Sequence, residues 1–155
     1  MSVLENSESP QVNLVHEFGQ AFKKRDPDLL ATLLHKDYRH ITLPRSIARP
    51  EEAREEWLQH IGGFLSLWTE SGWTIHSLIE TPGKVVVHVT SWAKTSLGVD
   101  LNRESIFIVH IVTDEDGSLK IKALEDFTDS KTYLDFVKAV AAAKAEREHS
   151  ASYAA

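Results

Sequence analysis

Apolar residues recur at helical spacing early in the chain and at every second position later, and this change of period divides it. Val12, Val15, Phe18, Ala21 and Phe22 stand three or four apart, which predicts an amphipathic helix. Ser9-Pro10 opens it, with serine as cap and proline at the first helical position. Asp26-Pro27 ends it, and Asp26 caps a short second helix carrying Leu29, Leu30, Leu33 and Leu34. The stretch DYRHITL, 37–43, alternates and is rich in β formers, so it predicts a strand ending at Pro44. Pro50-Glu51-Glu52 opens a third helix, whose acids suit its first turn and whose stripe is Trp57, Ile61, Phe64, Leu65 and Trp68.

After Gly72 the period is two. It predicts strands over 73–81, 84–96, 101–113 and 119–128, separated by Pro82-Gly83, Leu97-Gly98 and the turn Asp114 to Gly117. A weakly amphipathic helix over 131–148 closes the pattern. Residues 10–148 therefore read as one domain, between a flexible start, 1–9, and a flexible tail, 149–155. The fold class is α+β: a cone-shaped, curved antiparallel or mixed sheet wrapped by three N-terminal helices, with a C-terminal helix. Helices standing off such a sheet leave a pocket.

Composition narrows the partners. The 155 residues carry 23 acids against 17 bases, a formal charge of −6. An acidic surface argues against nucleic acid and anionic membrane as partners. Cysteine is absent, which removes disulfides, thiol nucleophiles and Cys-ligated zinc and suits a cytoplasmic protein. The polar start predicts no secretory signal, and no apolar run approaches a membrane span.

Face assignment selects the candidate chemistry. With Lys120 and Lys122 toward solvent, alternation turns Ile121, Ala123, Glu125 and Phe127 inward. A buried Glu125 has its pKa raised by desolvation, which suits a general acid or base; equally, it ties strands together through a His or Arg. On the preceding strand Glu104, Ile106, Ile108 and His110 share one face, and Arg103, Ser105, Phe107 and Val109 the other. Either is a possible interior. If Ser105, Phe107, Val109 and Ile111 form the outer face, they make an apolar patch that a homodimer covers. His88 and Trp92 share a face of the long strand, and Tyr38 and His40 lie on the first strand. Glu125, His88 and His110 are thus the candidate catalytic groups. Tyr38, His40, Trp57, His60, Phe64, Trp92, Glu104 and Phe127 are the candidate ligand contacts. The histidines have no H-E-x-x-H spacing, so no metal is expected, and no cofactor either. Asp129, just before the last helix, reads as its N-cap.

Particular segments carry a resemblance. LPRSIARP, 43–50, followed by a Trp-bearing helix, then KVVVHVTSWAKTSLG, NRESIFIVHIVTDEDG and LEDFTDS, resemble fungal SnoaL-like proteins of the nuclear transport factor 2-like superfamily. The likeness covers about 10–136. It implies the cone fold, a homodimer through the outer sheet face and a pocket for a small apolar, polyketide- or terpenoid-like molecule. Cyclases of that group use a carboxylate near the end of the last strand, where Glu125, Asp126 and Asp129 stand. QHIGG, 59–63, is similar to a stretch of scytalone dehydratase whose His is catalytic, but the partners of that His correspond here to Phe22 and Lys23. The expected function is acid/base catalysis by a cyclase or isomerase; the alternative is a non-catalytic ligand binder or dimeric scaffold.

Overall fold

The computed structural model describes residues 9–154. Ser9 Oγ accepts from the Val12 N–H at 3.4 Å and Asp26 Oδ1 accepts from the Leu29 N–H at 2.9 Å. Helices α1 (Pro10–Lys24) and α2 (Pro27–Leu33) therefore each begin on a side-chain cap followed by proline. There follow β1 (Leu34–Leu43), a single 3-10 turn (Arg45–Ile47), β2 (Glu52–Ala53), α3 (Arg54–Leu65) and β3 (Trp68–Thr81). The chain ends with β4 (Lys84–Thr95), β5 (Leu101–Thr113), β6 (Leu119–Thr128) and α4 (Ser130–Tyr153).

Several boundaries differ from the sequence pattern, among them the start of the first strand, which lies at Leu34 and takes that residue from the second helix. The third helix starts at Arg54 because Glu52 and Ala53 pair with His40 and Arg39 of β1. Trp68 belongs to a strand, paired with Thr95, instead of to the stripe of α3. The last helix is capped by Asp129, as expected, but continues to Tyr153, beyond 148. Of the segments expected to be flexible, residues 1–8 and Ala155 lie outside the described residues.

The sheet order is β2-β1-β6-β5-β4-β3. All neighbours are antiparallel except β1 and β6, so the sheet is mixed. Its helix-covered face carries Val85, Val87 and Val89 of β4 with Phe107, Val109 and Ile111 of β5, all buried with Phe18, Leu30 and Trp57 of the helices. Gly19 lets α1 approach the sheet, since a Cβ there would lie 1.9 Å from the Trp73 indole. At one end, Phe136 and Val140 of α4 bury with Ala93 and Leu101.

This arrangement corrects the face assignments. On β5 the inner face is Ser105, Phe107, Val109 and Ile111, so those residues are not an outer, dimer-covering patch. Glu104, Ile106, Ile108 and His110 point outward. On β6 a bulge decides the matter. His110 pairs with Ala123 and Ile111 with Ile121, leaving Lys122 as an extra residue. One extra residue exchanges the faces of everything beyond it. Ile121 is inward as expected, but past the bulge Leu124, Asp126 and Thr128 are buried, while Ala123, Glu125 and Phe127 turn outward.

Candidate functional site

Between the helices and the inner face of the sheet lies a cavity open to solvent. Its walls are mostly aromatic: Phe18 and Phe22 of α1, Trp57 and Phe64 of α3, Trp68 and Trp73 of β3. Two groups of polar side chains interrupt them.

The first is on the sheet. Asp126 is 5% exposed, and its Oδ2 lies 3.4 Å from Nη1 of Arg103. Oδ1 has no hydrogen-bond partner, nor has Arg103 Nε. Burial pushes the carboxyl above its ordinary value, while Arg103 and, less, the Ser105 hydroxyl pull it back. A desolvated carboxyl beside a fixed cation is the form a proton-transfer group takes in a dry site.

The second group joins three elements. Ala48 adopts a left-handed conformation, φ 58°, a position that glycine fills with less strain. Beyond this turn stands Arg49. Its guanidinium donates to Tyr133 Oη of α4 at 3.2 Å and to Glu52 Oε1 at 3.0 Å. It also lies 2.8 Å from His60 Nδ1. Burial and then the neighbouring Arg49 hold His60 below its ordinary pKa, so it is neutral and accepts from the guanidinium.

His40 connects the two groups. Buried on β1, it stacks on Trp57 at 5.1 Å between ring centroids and 20° between planes. Its pKa falls to about 3, chiefly through burial and then through the positive fields of Arg103 and Arg49. Burial raises the Tyr38 phenol well above its usual value, so Tyr38 stays protonated, and its hydroxyl lies 2.9 Å from His40 Nδ1. In the tautomer in which the phenol donates, His40 carries its own proton on Nε2.

This gives a signed pH prediction. The unfolded chain protonates His40 below about pH 6.5 and the folded one only near pH 3, so in that window the unfolded state binds more protons and stability falls as pH drops. His40 is expected to cost about 2 kcal/mol between pH 7 and pH 5. Urea denaturation at both pH values should show that increment in the parent protein and its loss in His40→Gln; parallel slopes would refute it.

The structure sorts the candidates from the sequence. His40, Trp57, His60 and Phe64 line the cavity, and Tyr38 lies buried behind His40. Trp92 borders it but stays 40% exposed, its indole lying across Gly72. The remaining candidates are on the convex face. Glu125 Oε2 is 2.7 Å from His110 Nε2, and His88 Nε2 is 2.6 Å from Glu104 Oε1. These are half-exposed cross-strand pairs, with Phe127 exposed nearby. Glu125 therefore faces outward through the parity change at Lys122, where it meets His110, and His88 pairs with Glu104 on the same convex face. Among the described residues no group of three or more His, Cys, Asp or Glu is placed to hold a metal ion.

Arg49, Glu52 and Tyr133 were missed as site residues, and Asp126 and Arg103 were named in the sequence but not chosen. The available signal was pairing consistency. His88 is opposite Ile106 and Ile106 opposite Phe127, so an outward His88 carries Phe127 outward and leaves Asp126 facing in.

The SnoaL-like domain family matches residues 15–123. No curated protein matches the chain by sequence. Solved structures share its fold. BvnE pinacolase from Penicillium brevicompactum is 18% identical, with a TM-score of 0.75, covering 90% of this chain and 99% of that one. PrhC from Penicillium brasilianum is 16% identical at the same TM-score, covering 88% and 91%. A SnoaL-like polyketide cyclase candidate from Shewanella denitrificans is 13% identical with a TM-score of 0.67, covering 85% and 98%. At these identities the likeness establishes the cone fold and nothing finer.

Proposed function

The chain belongs to the SnoaL-like domain family, and from that premise we propose that it is an acid/base enzyme, a cyclase or isomerase, acting on a small apolar polyketide- or terpenoid-like molecule. The observation that carries this is the Asp126 carboxyl, pushed up by burial inside an aromatic cavity and held beside Arg103. In this reading the Asp126 carboxylate takes a proton from carbon next to a substrate carbonyl. The C–H pair passes to the carbonyl oxygen as an enolate, which faces the Arg103 cation and the His40 N–H. The same carboxyl returns the proton, at that carbon or at another along the conjugated system. The neighbours named as a pinacolase and a polyketide cyclase support a rearrangement or ring closure as the reaction class.

Deuterium exchange tests the step on whatever molecule the cavity retains. A ligand that copurifies, identified by native mass spectrometry and returned to the protein in D₂O, is expected to gain deuterium at an activated carbon. A bound ligand whose mass never changes would instead establish a binder.

The same proposal includes a homodimer, through the convex face as the structure defines it. Ile106 and Phe127 are 45% and 51% exposed there, beside the two His–Glu pairs. That patch mixes apolar area with both signs of hydrogen-bonding group, so a second copy can match it. Light scattering should give twice the 17.4 kDa chain mass, and Phe127→Glu should halve it. A monomeric parent at micromolar concentration would exclude the dimer.

A further inference from the structure

The second polar group is not needed for the proton transfer assigned to Asp126, yet it is built into the same cavity wall. Arg49, Glu52, His60 and Tyr133 all line the cavity, and they come from a loop, β2, α3 and α4. Both Arg49 and Arg103 act on His40. The charges within the second group cancel: Arg49 is paired with Glu52 at 3.0 Å, and His60 is neutral. Two hydrogen-bonding functions remain unused. Glu52 Oε2 is buried with no partner, which leaves one strong acceptor. Tyr133 Oη accepts from Arg49, which leaves its own proton to donate.

We propose that Arg49, Glu52, His60 and Tyr133 form a second binding station in the cavity, which holds a neutral hydroxyl of the ligand. A hydroxyl both donates and accepts, so it satisfies Glu52 Oε2 and the Tyr133 proton together. A ketone uses only the Tyr133 proton. A carboxylate would meet the unpartnered Glu52 oxygen as a like charge, with no uncompensated cation to offset it. The ligand class that follows is an uncharged, flat, apolar body with more than one oxygen, at least one of them a hydroxyl. The inference rests on reading the cavity as a small-molecule site, but not on turnover there.

Calorimetric titration with three probes tests it: 2,6-dihydroxynaphthalene, 2-naphthol and 6-hydroxy-2-naphthoate. The diol is expected to bind about tenfold tighter than 2-naphthol, the worth of one hydrogen bond to a charged group. The naphthoate should bind more weakly than the diol. Glu52→Gln and Tyr133→Phe should each reduce the diol advantage to threefold or less. Tyr133→Phe removes one hydroxyl and keeps the ring, so it serves if Glu52→Gln fails to fold. Equal affinity of the parent for diol and 2-naphthol would overturn the station. So would no binding of the diol, tighter binding of the naphthoate, or an undiminished ratio in a folded variant. A diol advantage without deuterium exchange would keep the station and remove the enzyme; exchange without the advantage would do the reverse.

Discussion

Asp126→Asn is expected to reduce ligand deuterium exchange by a factor of about 10² to 10⁴, the usual share of a positioned acid or base, while Glu125→Gln stays within about twofold. The two carboxylates are adjacent in sequence and on opposite faces of β6, so each variant is the control for the other. Asparagine keeps the shape and removes the ionisation. The effect on stability should have the opposite sign to the effect on exchange. Burial raises the Asp126 pKa above 3.8, so from there up to its folded value the native state binds more protons than the unfolded one. Stability contributed by the protonated group is therefore lost as pH rises through that window. Asparagine removes this loss, and Asp126→Asn should resist urea at pH 7 at least as well as the parent. A protein that trades stability for a desolvated catalytic group behaves in this way. Full exchange in Asp126→Asn, or its loss in Glu125→Gln, would move the chemistry to the convex face.

Trp57→Ala should cost about 3–5 kcal/mol of folding stability, the range for deleting a large buried aromatic. Trp57 is 3% exposed and belongs to the main core cluster. It stacks on Phe18 at 6.2 Å and on His40 at 5.1 Å, with Tyr38 tilted against it at 5.4 Å. Each ring contact adds about 0.5–1.5 kcal/mol beyond the buried area. The second consequence is electrostatic. Removing the indole lets water reach His40, whose pKa should climb from about 3 back toward the ordinary range. Chemical denaturation measures the first effect and an NMR titration of the imidazole the second. A loss below about 1 kcal/mol with His40 unmoved would show that the wall is not held by this residue.

Much of the cone was legible in the chain. Ser9-Pro10 and Asp26-Pro27 mark helix starts through bonds that span three residues, and the switch from helical to alternating spacing after Gly72 marks where the meander begins. Such signals are local, so they survive in sequence. His40, Trp57, His60 and Phe64 were also within reach, because an aromatic or histidine on an apolar stripe faces whatever that stripe covers.

The chemistry was less legible, because it depends on parity. The alternation of Lys120 and Lys122 points Glu125 inward only if β6 is regular, and the extra residue at Lys122 reverses the order from there on. Nothing local at Lys122 announces a bulge. It shows only in the pairing of β6 with β5, a strand outside Lys122's own neighbours along the chain. The group around Arg49 was harder still, since it draws on a left-handed turn at Ala48, a two-residue strand and the last helix. By itself, then, the sequence determined the α+β cone, its helix caps, its aromatic wall and the presence of carboxylates near the end of the last strand. Only the tertiary structure decided that Asp126 and not Glu125 faces the cavity, and that Arg49, Glu52, His60 and Tyr133 meet. Caps and periods are set by neighbours along the chain, whereas strand register and side-chain convergence are set by partners far away in sequence.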